Sequence, residues 1–231
     1  MIELGSVRID PQVSEQFPDY VAVVLIIEGL EPGPVTSASE ALLNEAEKSA
    51  IAAIGDGAAH DLAEVLRWRE AYASFGVKPR QARSSVESLM RRASSGLPRI
   101  DRITDTYNAV SVLHRVPIGG ENLHAYVGPP QLIIAEGTEE FDTVSDGEPT
   151  TDIVPAGEIV WRDDAGVTCR RWNWRQCVRT RIGADTRSAL FIIDSLGPQA
   201  LGVAEQAGDV LIDRLSIDSP NLTVERLMLG K

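Results

Sequence analysis

Three stretches concentrate polar side chains whose types and spacing can do chemistry. In residues 68–92, WREAYASFGVKPRQARSSVESLMRR, Ser84, Ser85 and Glu87 stand at the head of a helix-forming run. A hydroxyl and a carboxylate there can satisfy the free amides of a first turn. The same helix start, flanked by Arg80 and Arg83, could instead hold a phosphate. In residues 97–123, LPRIDRITDTYNAVSVLHRVPIGGENL, Asp105 and Asn108 are three apart and share one side of a helix. Their companions Ile103, Tyr107, Val110 and Val112 are apolar, so a buried Asn108 must find hydrogen-bond partners; pinning the core is one use for it. The Gly119-Gly120 pair allows backbone to approach a ligand, or simply makes a turn. In residues 163–182, DDAGVTCRRWNWRQCVRTRI, strand alternation puts Trp172, Trp174, Gln176 and Val178 on one face. Arg171, Asn173, Arg175 and Cys177 fall on the other. Tryptophans beside guanidinium groups suit stacking on a base or an aromatic amino acid, or core packing under a wet arginine face.

These groups must be positioned by a chain of 231 residues, 43% hydrophobic and 24% charged, which suits a globular fold with its own core. Residues 20–30, YVAVVLIIEGL, read as a buried strand, and Glu31-Pro32-Gly33-Pro34 as a turn. Helical spacing covers 36–54, 58–75, 81–94 and 100–114. Short β-like runs follow at 131–136, 157–162, 167–171, 178–182 and 189–194. Residues 198–215 return to helical spacing, and 222–229 read as a last strand or a short helix. Residues 142–157 read as the most mobile loop. A helical first half, a β-rich second half and a strand at the start make an α+β pattern. The expected organisation is a single domain over 1–231, with the strand and helix of 20–54 integrated into it.

The formal net charge is −12, which argues against a nonspecific nucleic-acid binder taken whole. The distribution is uneven. Residues 67–102 hold nine basic side chains against three acidic, and residues 168–187 hold six arginines against one acid. GxGxxG, P-loop, HExxH and GxSxG motifs are absent. His60, His114 and His124 share no metal-ligand spacing, and Cys169 and Cys177 suggest two reduced thiols, so neither a metal nor a cofactor is expected. The N-terminus shows no signal-peptide pattern, and the apolar run 21–27 is too short to span a bilayer. No membrane association and a cytoplasmic location are the corresponding expectations.

Four motifs carry a resemblance: WR…FG.KP…SS.E.L.RR, LP.I…D.YN..S…..P.GGE.L, GE.V..DD and CRRWNWRQC. In this order, over about 67–215, the chain resembles the B3/B4 module of the phenylalanyl-tRNA synthetase β subunit. It is more closely similar to free-standing B3/B4 (tRNA-binding) domain proteins. The resemblance implies a sandwich of β layers with flanking helices, and in the synthetase an editing site that hydrolyses wrongly attached tyrosine. It places the family's pocket asparagine on Asn108 and its pocket carboxylate on Asp194. The family's pocket histidine falls on Gly119. The implied partner is the acceptor end of a tRNA. Implied contacts are Arg80, Arg83, Ser85, Glu87, Arg171, Trp172, Asn173, Trp174, Arg175 and Gln176. Hydrolysis of an aminoacyl ester needs a placed water and donors for the developing oxyanion. Asn108, Asp194 and the amides of Gly119 and Gly120 would suffice. A trans-acting deacylase, a non-catalytic RNA-binding or accessory protein, and a binder of a small amino-acid derivative are the three functions left open.

Overall fold

The structure, a computed structural model, describes residues 3–230. A four-stranded antiparallel sheet in the order β11-β2-β10-β3 forms its centre. The strands are β2 (Tyr20–Glu28), β3 (Ile118–Asn122), β10 (Ser188–Leu196) and β11 (Thr223–Leu229). Both β2 and β10 are apolar along nearly their whole length because each is covered on both faces. Helix α6 (Ala200–Asp218) lies on one face, where Gly208 comes close to Ile193 and Val23. On that side α5 (Arg102–His114) also packs, its Tyr107 ring meeting Phe191 edge-on at 6.0 Å. The other face looks toward a second sheet, ordered β1-β4-β7-β8-β9. Its strands are β1 (Arg8–Ile9), β4 (Gln131–Ile134), β7 (Ile159–Asp163), β8 (Gly166–Arg170) and β9 (Arg175–Gln176). Leu132, Ile159 and Trp161 of that sheet share one core with β2 and β10. The α+β sandwich with a helical first half and a β-rich second half is therefore as expected.

Short α1 (Pro11–Gln16), then α2 (Ser37–Ile54), α3 (Ala63–Ser74) and short α4 (Ser85–Met90) complete the helices. Thr36 caps α2, its hydroxyl accepting from the Ser39 amide. Asp101 caps α5, accepting from the amides of Ile103 at 2.9 Å and Thr104 at 2.8 Å. Asp101→Ala is expected to cost about 1 kcal/mol of stability in urea denaturation. An unchanged midpoint would mean that the cap contributes nothing.

Four expectations need correction. The helix expected over 81–94 shrinks to α4, because Ser84 is the cap and Lys78 to Gln81 form a turn. Residues 142–157 are largely a hairpin of β5 (Glu140–Ser145) and β6 (Glu148–Ile153). Asp146 and Gly147 both take positive φ there, the Asp-Gly signature of a two-residue hairpin turn. Residues 178–182 are not a strand. Asp142 accepts from the amides of Val178 and Arg179, which holds this segment in turns. Gly119-Gly120 is not a turn but lies within β3, paired with Ile192 and Phe191.

Candidate functional site

Between the two sheets, closed at one end by α4 and α5, is a cavity of about 160 Å³. Asp194 forms its floor. It sits near the end of β10, 2% exposed, with its side chain on the face turned toward the second sheet. The Tyr20 hydroxyl donates to Asp194 Oδ1 at 2.5 Å, and Asn173 Nδ2 faces Oδ2 at 3.4 Å. Burial is the largest influence on this carboxyl, followed by the opposing pull of those donors and of the Trp161 and Trp172 indoles; its pKa is pushed up to about 7. The two indole N–H groups are buried and meet no acceptor at hydrogen-bond geometry among the described residues.

Asn173 reaches the floor through an unusual backbone. Arg171 and Trp172 are consecutive non-glycine residues at positive φ, +47° and +67°. This costs energy and persists only where surrounding contacts impose it. The Arg171 amide donates to Glu158 Oε1 at 3.0 Å, while Trp172 is fully buried among Phe17, Tyr20 and Trp68. The turn replaces the strand alternation expected for 171–178. It aims Asn173 inward, where Oδ1 accepts from Tyr72 at 2.9 Å and the backbone carbonyl accepts from the Ser85 amide at 2.9 Å.

The structure thus brings together Asn108, Gly119 and Asp194 with Ser85, Trp172, Asn173, Trp174, Arg175 and Gln176 around one cavity. The Asn108 side chain forms no hydrogen bond to another described residue, and the buried Ser85 hydroxyl has no partner there. Gln176 Nε2 donates to the Gly120 carbonyl at 3.0 Å, and a Cβ at Gly119 would lie 3.2 Å from that nitrogen. The Gln176 amide therefore occupies space into which a side chain at 119 would grow.

Other expected residues lie elsewhere. Gly120 turns away from the cavity, toward Phe191, Tyr107 and Ile182. Arg80 is exposed at a distance from it. Glu87 is 1% exposed and receives Arg69 at 2.5 Å, with Arg83 at 3.5 Å. The head of α4 is capped by Ser84, the capping role rather than the phosphate role. Arg171 spends its guanidinium on Glu158, 3.5 Å away, and on the Trp174 ring, 4.2 Å from its centroid. Arg170 is paired to Glu158 and Arg179 to Asp163. The Trp174 ring is thus flanked by guanidinium groups of this chain, and the basic segments are partly neutralised.

Cys169, expected only as a reduced thiol, lines the cavity, and Tyr20, Tyr72 and Trp161 belong to the site without having been candidates in the sequence. Their signals were those of ordinary core residues. Among the described residues, no group of three His, Cys, Asp or Glu side chains could hold a metal, and no helix is long and apolar enough to cross a membrane.

The B3/4 domain family matches residues 67–209, the span that supplies every lining residue of the cavity. No curated protein matches. The chain is similar in structure to an N-terminal fragment of the phenylalanyl-tRNA synthetase β-subunit from Pyrococcus horikoshii, with a TM-score of 0.47 and 15% identity. That match covers 97% of this chain and 50% of the fragment.

Proposed function

The chain belongs to the B3/4 domain family, and on that premise we propose that the cavity over Asp194 receives the aminoacyl group of a mischarged tRNA and hydrolyses its ester. The observation carrying this reading is the convergence of Asn108, Asn173 and Asp194 on one small, largely apolar-walled space. Its volume, about 160 Å³, lies below the ~300–1,000 Å³ of drug-sized sites and suits a single amino-acid side chain. A carboxyl titrating near 7 is matched to accepting a proton from water at neutral pH. Water adds to the ester carbonyl while Asp194 takes its proton. The ribose hydroxyl then leaves, protonated, to give free amino acid and uncharged RNA. The unpartnered Ser85 hydroxyl is a donor for the developing oxyanion.

A panel of mischarged tRNAs tests this. At least one is expected to be deacylated by the full chain well above its spontaneous rate; if none is, the reading fails. A second reading is favoured by the ion pairing of Arg69, Arg83, Arg170, Arg171 and Arg179, which leaves less charge for RNA. Here the substrate is a small amino-acid derivative. Turnover of amino-acid alkyl esters without turnover of any charged tRNA would select it.

A further inference from the structure

A second, larger cavity of about 450 Å³ opens where β10 turns into α6. We propose that it binds a phosphate monoester of nucleotide size. Its walls are α3, the C-terminal end of α5 and the start of α6. The 19-residue α6 directs its N-terminus here, and its N-cap, Gln199, supplies no side-chain hydrogen bond to the free amides. Such an end favours anions.

Ser195 gives the independent indication of a ligand. It is 5% exposed, lines this cavity, and its hydroxyl bonds to no described residue. Strand alternation sets it on the α6 side of the sheet, with Ile193, so it faces the helix start and not the Asp194 carboxyl. The hydroxyl is open to the cavity and free to bond a ligand oxygen there. Two guanidinium groups, Arg67 and Arg115, stand on the walls. Arg67 lies over Gly197, where φ is +111° and a Cβ would come within 3.0 Å of its Nε, so the glycine leaves room for the cation at the helix start. Arg115 takes left-handed backbone, φ +54°, at the end of α5 and contacts Glu64 at 2.9 Å. Glu64 and Asp194 are the carboxylates bordering the cavity. The field around Glu64 is positive: it is held below its usual range, burial being opposed by hydrogen bonds and by Arg115 and Arg67, and His114 is pushed down by burial and Arg115.

This site does not depend on the aminoacyl reading. Trp68 lines this cavity and Trp172 the other, in edge contact at 5.3 Å, and Asp194 borders both. Calorimetric titration of the full chain with AMP, inorganic phosphate and adenosine is the test. AMP is expected to saturate, phosphate to compete with it, and adenosine to bind at least tenfold more weakly. Arg67→Gln is expected to weaken AMP about tenfold and Ser195→Ala severalfold, with melting temperatures checked for both. Failure of AMP to saturate, equal binding of adenosine, or unchanged affinity in both variants overturns the proposal. Deacylation of charged tRNA bears on the other cavity alone.

Discussion

Asp194→Asn is expected to lower kcat/KM for ester hydrolysis at least a hundredfold, a loss of about 2.7 kcal/mol in transition-state stabilisation. The substitution keeps the shape and one acceptor for Tyr20, but it cannot accept a proton from water. The wild-type rate should rise with pH through an apparent pKa of about 7, and the variant should lose that step. Full turnover by the asparagine variant would remove Asp194 from the chemistry. Stability provides a second readout of opposite sign. Burial raises this carboxyl, so between the ordinary carboxylate range and about 7 the folded chain holds a proton that the unfolded chain has released. Stability contributed by this group is complete below that interval and is lost as pH rises through about 7. Above pH 7 the variant should melt no lower than the wild type, and its stability should depend less steeply on pH. Glu121 keeps part of the slope. It is buried, receives the hydroxyls of Tyr126 and Thr180, and is likewise raised to about 7, mainly by burial.

The local elements were largely written in local residues. The apolar run of β2 acts within a few positions, so pattern alone locates it. Asn108 also came from a motif, and Asp194 from the family resemblance. What pattern could not show was the pairing that makes a site of them. Tyr20 meets Asp194 because β2 pairs antiparallel with β10, Tyr20 opposite Leu196, and no local feature of YVAVV reveals that register. The arginines misled for a related reason. Arg170 pairs with Glu158, 12 residues away and outside the segment counted, so charge counted along the chain overstates what the folded surface presents. The stretch after Arg170 misled most. Its residues alternate as a strand would, yet Trp172 has a buried place among rings from three other elements, and that burial overrides the backbone preference.

Trp172→Ala is expected to be the most damaging single truncation, costing about 3–5 kcal/mol and lowering the melting temperature by on the order of 10 °C. The indole is fully buried, with edge contacts to Tyr20 at 4.7 Å, Phe17 at 4.9 Å and Trp68 at 5.3 Å. Each such contact adds about 0.5–1.5 kcal/mol beyond area burial. Trp172→Phe keeps part of this packing and should fall between alanine and wild type in urea denaturation. The loss should extend past stability. Positive φ at both Arg171 and Trp172 is imposed by packing, so alanine frees the turn to relax toward ordinary backbone. Asn173 would then leave its place beside Asp194, between Tyr72 and Ser85. Accordingly, Trp172→Ala should lose hydrolysis even at temperatures where it remains folded, whereas a cavity-lining change that spares the turn, such as Gln176→Ala, should keep its stability. If the folded alanine variant hydrolyses as fast as the wild type, the strained turn does not position Asn173 for the reaction.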